Sequence, residues 1–177
     1  MILLYYTEHL PNIQSRQLWI TLEAKSESTR TLLVDFFGIK SKIERVKMDK
    51  KFEKFVKSHF GLEIWSKEKL IFCSKKESIS GLLDFIKKHG RKARNLTVFD
   101  KKVGNAVALL CVYIGVREVF GVVGSKSAAK TFKNFKIKYH FLKTIPRILN
   151  KKETGICPLE KLSLFKASEE FYNLVKN

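Results

Sequence analysis

The sequence predicts an α/β domain of three layers, α/β/α, in which a mixed five-stranded sheet lies between two layers of helices. From residue 48 onward, short apolar strands alternate with amphipathic helices, a pattern that is typical of a largely parallel sheet covered on both faces. The helix that follows the strand at 96–99 is apolar on nearly every side, and a helix of that kind is buried. We therefore expect the rest of the domain to pack around this central helix.

The five strands are short apolar runs bounded by turn residues. They are expected at 62–65, 70–73, 96–99, 118–123 and 137–142. The helices are marked by a side chain that can cap the first turn and, in most cases, by a closing glycine. The expected caps are Asp49, Ser78, Ser125 and Ser168, and the expected stops are Gly61, Gly90 and Gly115. The final helix is expected to bury Phe171, Leu174 and Val175.

Residues 1–47 differ from the rest of the chain. They contain two apolar patches around a polar stretch and show no helical stripe. We interpret them as an N-terminal extension of uncertain structure, either added strands or a poorly packed tail, or as sequence that precedes a true initiator at Met48. The α/β domain is then expected at 48–164, and a C-terminal helix at 165–177.

The charge of the chain is strongly basic and unevenly distributed. The formal net charge is +18, and residues 48–177 carry 28 basic and 12 acidic side chains. Such an excess favours polyanionic partners such as nucleic acid or nucleotides. The alternative interpretation is a solvated lysine-rich surface without a specific partner.

Cysteine usage and hydropathy predict a soluble cytoplasmic protein. The cysteines are odd in number and far apart, which fits a reducing compartment better than a disulfide framework; they are Cys73, Cys111 and Cys157. Cys111 and Cys73 are expected in the core. No apolar run is long enough to span a bilayer, so no membrane partner is expected.

A candidate ligand site lies at the junction between the strand at 96–99 and the central helix. In an α/β sheet, ligands bind beyond the carboxyl ends of the strands, where helix N-termini offer free N–H groups to an anion. Eight residues in or near that region are candidates. Asp100 and Cys157 are the candidate catalytic residues, and Lys101, Lys102, Gly104, Asn105, Ser125 and Glu160 are the candidate ligand-binding residues.

Each candidate also has a structural interpretation. Asp100 is equally explained as the N-cap of the central helix, and Ser125 is a cap in either case. Lys101 and Lys102 are as readily solvated as bound to a phosphate. Cys157 stands before a proline in a turn, and a small buried side chain explains it better than a nucleophile does.

Five stretches carry a resemblance to a known family: FDKKVGNAVALL at 99–110, GVREVFG at 115–121, SKSA at 125–128, IPRILN at 145–150 and GICPLE at 155–160. With them, the chain from about residue 48 to 164 resembles a prokaryotic domain family of unknown function with a cytidine deaminase-like fold. The resemblance implies that fold. Zinc deaminases of the fold need a histidine or cysteine ligand at the second helix and P-C-x-x-C at the third. Here those places read ESISG and DKKVG, so we expect no zinc, no other cofactor and no zinc-dependent deamination.

Three functions remain open on these grounds. The first is a pocket for a small anionic ligand, a nucleotide- or nucleobase-like molecule, at the junction that contains Asp100. The second is a basic nucleic-acid-binding module, although most of the aromatic residues lie at core spacing. The third is a catalytically silent interaction domain that uses residues 1–47.

Overall fold

The computed structural model describes residues 50–91 and 94–176. The predictions for residues 1–47 and for the Asp49 cap lie outside this part of the chain. The described helices and strands follow in chain order: α1 Lys50–Lys57, β1 Leu62–Ser66, β2 Lys69–Ser74, α2 Ser80–His89, β3 Leu96–Val103, α3 Asn105–Ile114, β4 Glu118–Ser125, α4 Lys126–Asn134, β5 Lys138–Ile145, α5 Pro158–Leu162 and α6 Ser168–Val175. The order confirms the alternation of helices and strands that the sequence predicts.

The strands form one mixed sheet in the order β2-β1-β3-β4-β5. Strand β1 is antiparallel to both of its neighbours, whereas β3, β4 and β5 are parallel. The mixed five-stranded sheet is therefore confirmed, but the expectation of a largely parallel sheet holds only for the β3–β5 half. The carboxyl ends of β3, β4 and β5 lie at one edge of the sheet, where β1 begins and β2 ends.

Helix α3 is the buried centre of the domain. Eight of its ten residues are buried, including Cys111 and the first residue, Asn105. The helix ends at Gly115, whose φ of 70° lies in the left-handed region that favours glycine. The prediction of a central buried helix that stops at this glycine is confirmed.

Alternate residues of β3 and β4 point into two different hydrophobic clusters. Val98 and Val119 belong to the larger cluster, together with most of α3. Phe99 and Phe120 belong to a smaller aromatic cluster with Phe52 of α1, whose ring centroid lies 5.3 Å from that of Phe99. Period-two burial of this kind is what a strand with apolar contacts on both faces requires.

Two of the predicted helix caps are wrong. Ser78 has a φ of 61°, and α2 begins two residues later without a side-chain cap. Ser168 is the first residue of α6 rather than its cap. Ser125 does cap α4, because its hydroxyl accepts a hydrogen bond from the Ala128 N–H at 3.1 Å. A serine near a predicted helix start thus indicates roughly where the helix begins but does not identify its capping residue.

Burial corrects two further predictions, and one helix is not among the predicted elements. Phe171 of α6 is fully buried, but Leu174 is 52% exposed. Cys73 is exposed although it was expected in the core. The five-residue helix α5 has no counterpart among the predicted elements.

None of the helices in the described ranges has the length and hydropathy needed to cross a bilayer, and the cytoplasmic location stays a prediction.

Candidate functional site

A cavity of about 750 Å³ opens at the sheet edge where β3 ends. Its walls come from the turn before β1 (59–61), the loop after β2 (75–79), the end of β3 and the start of α3, and the segment that follows β5 (148–160). Its size falls in the range of pockets that bind small molecules. Six of the eight candidate residues line it: Asp100, Lys101, Lys102, Gly104, Cys157 and Glu160.

Asp100 is the buried carboxyl group of this cavity. The residue is 6% exposed, and its Oδ1 accepts a hydrogen bond from the Lys102 backbone N–H at 2.7 Å. No described residue donates a hydrogen bond to its other carboxylate oxygen. Burial raises the pKa of Asp100 to about 7, against the opposing effect of the Lys102 N–H. This carboxyl group can therefore either accept or donate a hydrogen bond near neutral pH.

The interpretation of Asp100 as a helix cap is wrong. Strand β3 does not stop at residue 99, because Lys102 pairs with Val123 and Val103 pairs with Gly124 of β4. The cap position of α3 falls on Gly104 instead. Asp100 is thus a strand residue whose side chain faces the cavity end of the sheet.

The N-terminus of α3 already holds an anion, the carboxylate of Glu160. Glu160 is 3% exposed, accepts a hydrogen bond from the Asn105 backbone N–H at 2.7 Å, and accepts a second one from the Ser127 hydroxyl. Gly104 allows this approach, since a Cβ there would overlap the Glu160 carboxylate and lie 3.0 Å from Ile148 Cγ1. The N-terminus of α3, which the sequence predicts as an anion site for a ligand, is therefore occupied by the Glu160 side chain.

Asn105 and Ser125 lie beside the cavity and not on its wall. The Asn105 amide donates to the Ser163 carbonyl at 2.9 Å, and its carbonyl oxygen accepts from the Thr131 hydroxyl at 2.6 Å. The Ser125 hydroxyl lies 2.8 Å from the Ser127 hydroxyl in addition to its capping bond. Both side chains serve the packing of α3, α4 and α5, and ligand binding by either stays a prediction.

The side chain of Lys101 is held by helix α1. Its ammonium group donates to the carbonyls of Phe55 at 3.0 Å and Val56 at 2.6 Å, and it lies 4.9 Å from the centre of the Phe55 ring. The last carbonyls of a helix carry partial negative charge, so a lysine is stabilising there. The geometry favours this capping role over the predicted contact with a phosphate.

Other lysines also line the cavity, among them Lys76, Lys102 and Lys151. Lys76 pairs with Asp84 at 2.6 Å, and Lys151 pairs with Glu77 at 2.7 Å. Within the described ranges, Lys102 has no ion-pair partner and remains exposed.

Cys157 lies on the cavity wall at the start of α5. It is partly exposed, and its backbone N–H donates to the Ile148 carbonyl at 2.9 Å. Cys111, in contrast, lies in the core as predicted, and burial raises the pKa of its thiol, with a further contribution from the charge of Asp100. Cys157 and Asp100 thus line one cavity.

The residues that would hold zinc in a deaminase are not found at this site. Within the ranges that the structure covers, no group of three histidine, cysteine, aspartate or glutamate side chains is arranged to hold a metal ion. The side chains at the starts of α2 and α3 offer no imidazole or thiolate ligand. The donor set therefore does not fit a zinc ion.

Several residues of the cavity wall are not among the candidates predicted from the sequence. The missed residues include Phe60, Lys75, Glu77 and Lys151, and they come from loops that the sheet topology brings together. One local signal existed for the wall that carries Cys157: Pro158 followed by Glu160 is typical of the first turn of a helix.

Comparison with known proteins identifies relatives of this fold. The family TM1506, described as a domain of unknown function (DUF1893), matches residues 50–177. A crystal structure of a DUF1893 family protein (TM1506) from Thermotoga maritima is similar, with a TM-score of 0.63 and 26% sequence identity over 72% of this chain and 90% of that chain. A search of curated proteins returns no match.

Proposed function

This chain belongs to the TM1506 family, domains of unknown function (DUF1893), and we propose that its cavity binds a nucleotide- or nucleobase-like small molecule. The observation that carries the proposal is the combination of a buried carboxyl group, Asp100, with a lysine-rich rim around one cavity. A nucleotide matches this arrangement because it carries hydrogen-bond donors on its base and negative charge on its phosphate.

The apolar part of the cavity wall supports the same ligand class. Apolar side chains line them, including Phe60, Ile79, Val107 and Ile148. A pocket with mostly apolar walls and a few convergent polar groups is typical of small-molecule sites. The base would lie against these walls, with an N–H group directed to Asp100 and the phosphate near Lys102.

We also propose the three-layer, cytidine deaminase-like arrangement for this domain, without zinc-dependent deamination. The placement of the Phe52 cluster and of helix α3 against alternate residues of β3 supports the layers. The sequences ESISG and DKKVG, which stand where that fold carries its zinc ligands, support the absence of zinc chemistry.

A catalytic role for Asp100 and Cys157 belongs to the same proposal. A carboxyl group that is half-protonated near neutral pH can move a proton, and a partly exposed thiol can act as a nucleophile. Both groups line the cavity, so a base bound in it would share the cavity with the carboxyl group and the thiol.

A binding screen tests the proposed ligand class. The full chain is titrated with AMP, GMP, CMP, UMP and inorganic phosphate in a calorimeter. At least one mononucleotide should bind more tightly than phosphate, and Asp100→Asn and Lys102→Met should each weaken it about tenfold. Lys130→Met, on the exposed side of α4, should leave the affinity within about twofold.

Two results would contradict the proposal. The first is the absence of binding by all four mononucleotides. The second is binding that Asp100→Asn and Lys102→Met leave unchanged, which would place the ligand elsewhere. Salt-dependent binding of RNA in the absence of mononucleotide binding would favour the nucleic-acid-binding alternative instead.

A further inference from the structure

One ion pair spans the rim of the cavity. Lys151 and Glu77 both line the cavity, and their charged groups lie 2.7 Å apart. Lys151 belongs to the segment after β5 and Glu77 to the loop after β2, so the pair joins two different walls of the cavity. Both side chains remain highly exposed, at 89% and 75% respectively, so the pair lies at the entrance and not in the interior.

Glu77 lies in the field of more than one lysine. The hydrogen bond and the charge of Lys151 lower the pKa of Glu77, and the charge of Lys102 contributes in the same direction. Among the described residues, Lys102 has no other anionic partner. Glu77 is therefore the carboxylate that pairs with Lys151 and that also lies within the field of Lys102.

We propose that the carboxylate of Glu77 occupies the phosphate position of the cavity when no ligand is bound, and that the phosphate of a nucleotide displaces it from Lys151 and Lys102. This inference rests on the proposed function. An exposed ion pair is weak and readily exchanged, whereas a phosphate offers more charge and more acceptor oxygens to the same two lysines. No movement of the buried core is required, because both partners are on exposed loops.

The exchange predicts opposite effects of substitutions at the two ends of one ion pair. Glu77→Gln removes the carboxylate that competes with the phosphate, so nucleotide affinity should rise about three- to fivefold. Lys151→Gln removes a cation that receives the phosphate, so affinity should fall by about the same factor. A bridge that merely held the two walls together would give the same sign for both substitutions.

Calorimetric titration of the full chain with the mononucleotides AMP, GMP, CMP and UMP measures these effects. Lys152→Gln is the matched control, since Lys152 is an exposed neighbour that does not line the cavity, and it should change the affinity less than about twofold. Thermal unfolding without ligand checks that each variant is folded.

The outcomes separate this inference from the proposed function. Tighter binding by Glu77→Gln together with weaker binding by Lys151→Gln supports the exchange. Nucleotide binding by the wild type that Glu77→Gln weakens or leaves unchanged overturns the exchange alone. Failure of the wild type to bind any of the four mononucleotides overturns both.

Discussion

Replacement of Asp100 by asparagine should change the pH dependence of stability. Burial raises the pKa of this carboxyl group from 3.8 to about 7. Because the folded-state pKa is raised, the folded chain holds its proton more tightly than the unfolded chain. The stability that this proton gives is therefore complete below about pH 4 and is lost as the pH rises to about 7. The shift corresponds to about 4 kcal/mol.

Asparagine keeps the shape and the hydrogen bond from the Lys102 N–H but carries no charge. The Asp100→Asn variant should therefore match the wild type near pH 4 and exceed it by about 4 kcal/mol near pH 8. Urea denaturation at pH intervals of about one unit measures the difference in the free energy of unfolding.

Asp84→Asn serves as the control, because Asp84 is a partly exposed partner of Lys76 and its replacement should matter by less than about 1 kcal/mol at any pH. A difference between Asp100→Asn and the wild type that stays constant from about pH 4 to about pH 8 would refute the reasoning. So would a wild type that is the more stable of the two near pH 8.

Two further substitution pairs test the framework of the site. Gly104→Ala should destabilise the chain by about 2–3 kcal/mol, because its Cβ would displace the Glu160 carboxylate. Gly155→Ala should be almost neutral, because the nearest atom to its Cβ would lie 3.8 Å away. Chemical denaturation measures both effects, and equal losses of stability would contradict this account. Lys101→Met should lower stability by about 1–2 kcal/mol without changing ligand affinity. Lys102→Met should weaken ligand binding without changing stability. Calorimetry measures the affinities and denaturation the stabilities, and a loss of affinity in Lys101→Met or a loss of stability in Lys102→Met would contradict this account.

The sequence was sufficient to predict the five strands and the buried helix, because both depend on apolar spacing. The run from Leu96 to Ile114 was divided wrongly for a physical reason. Asp-Lys-Lys fits the polar first turn of a helix as well as the polar end of a strand, and only pairing with Val123 and Gly124 of β4 decides between them. Local patterns cannot show which strand lies beside another.

The candidate site was predictable in part for the same reason. Residues at the end of β3 could be found, because the carboxyl ends of parallel strands are where ligands usually bind. Glu160 was noted in the sequence, but its contact with the Asn105 N–H joins residues 55 positions apart. Glu77 and Lys151 are farther apart still, and neither has a local signal. Such contacts follow from tertiary topology, which the sequence pattern does not contain.

A ligand-bound structure is the most direct test of the central claim that this cavity binds a nucleotide. The chain is crystallised with the mononucleotide that binds best in the calorimetric screen. We predict the base against the apolar walls that include Phe60 and Val107, with a donor group within hydrogen-bond distance of Asp100 and the phosphate between Lys102 and Lys151. A nucleotide bound outside the cavity, or one that displaces Glu160 from the N-terminus of α3, would contradict the claim.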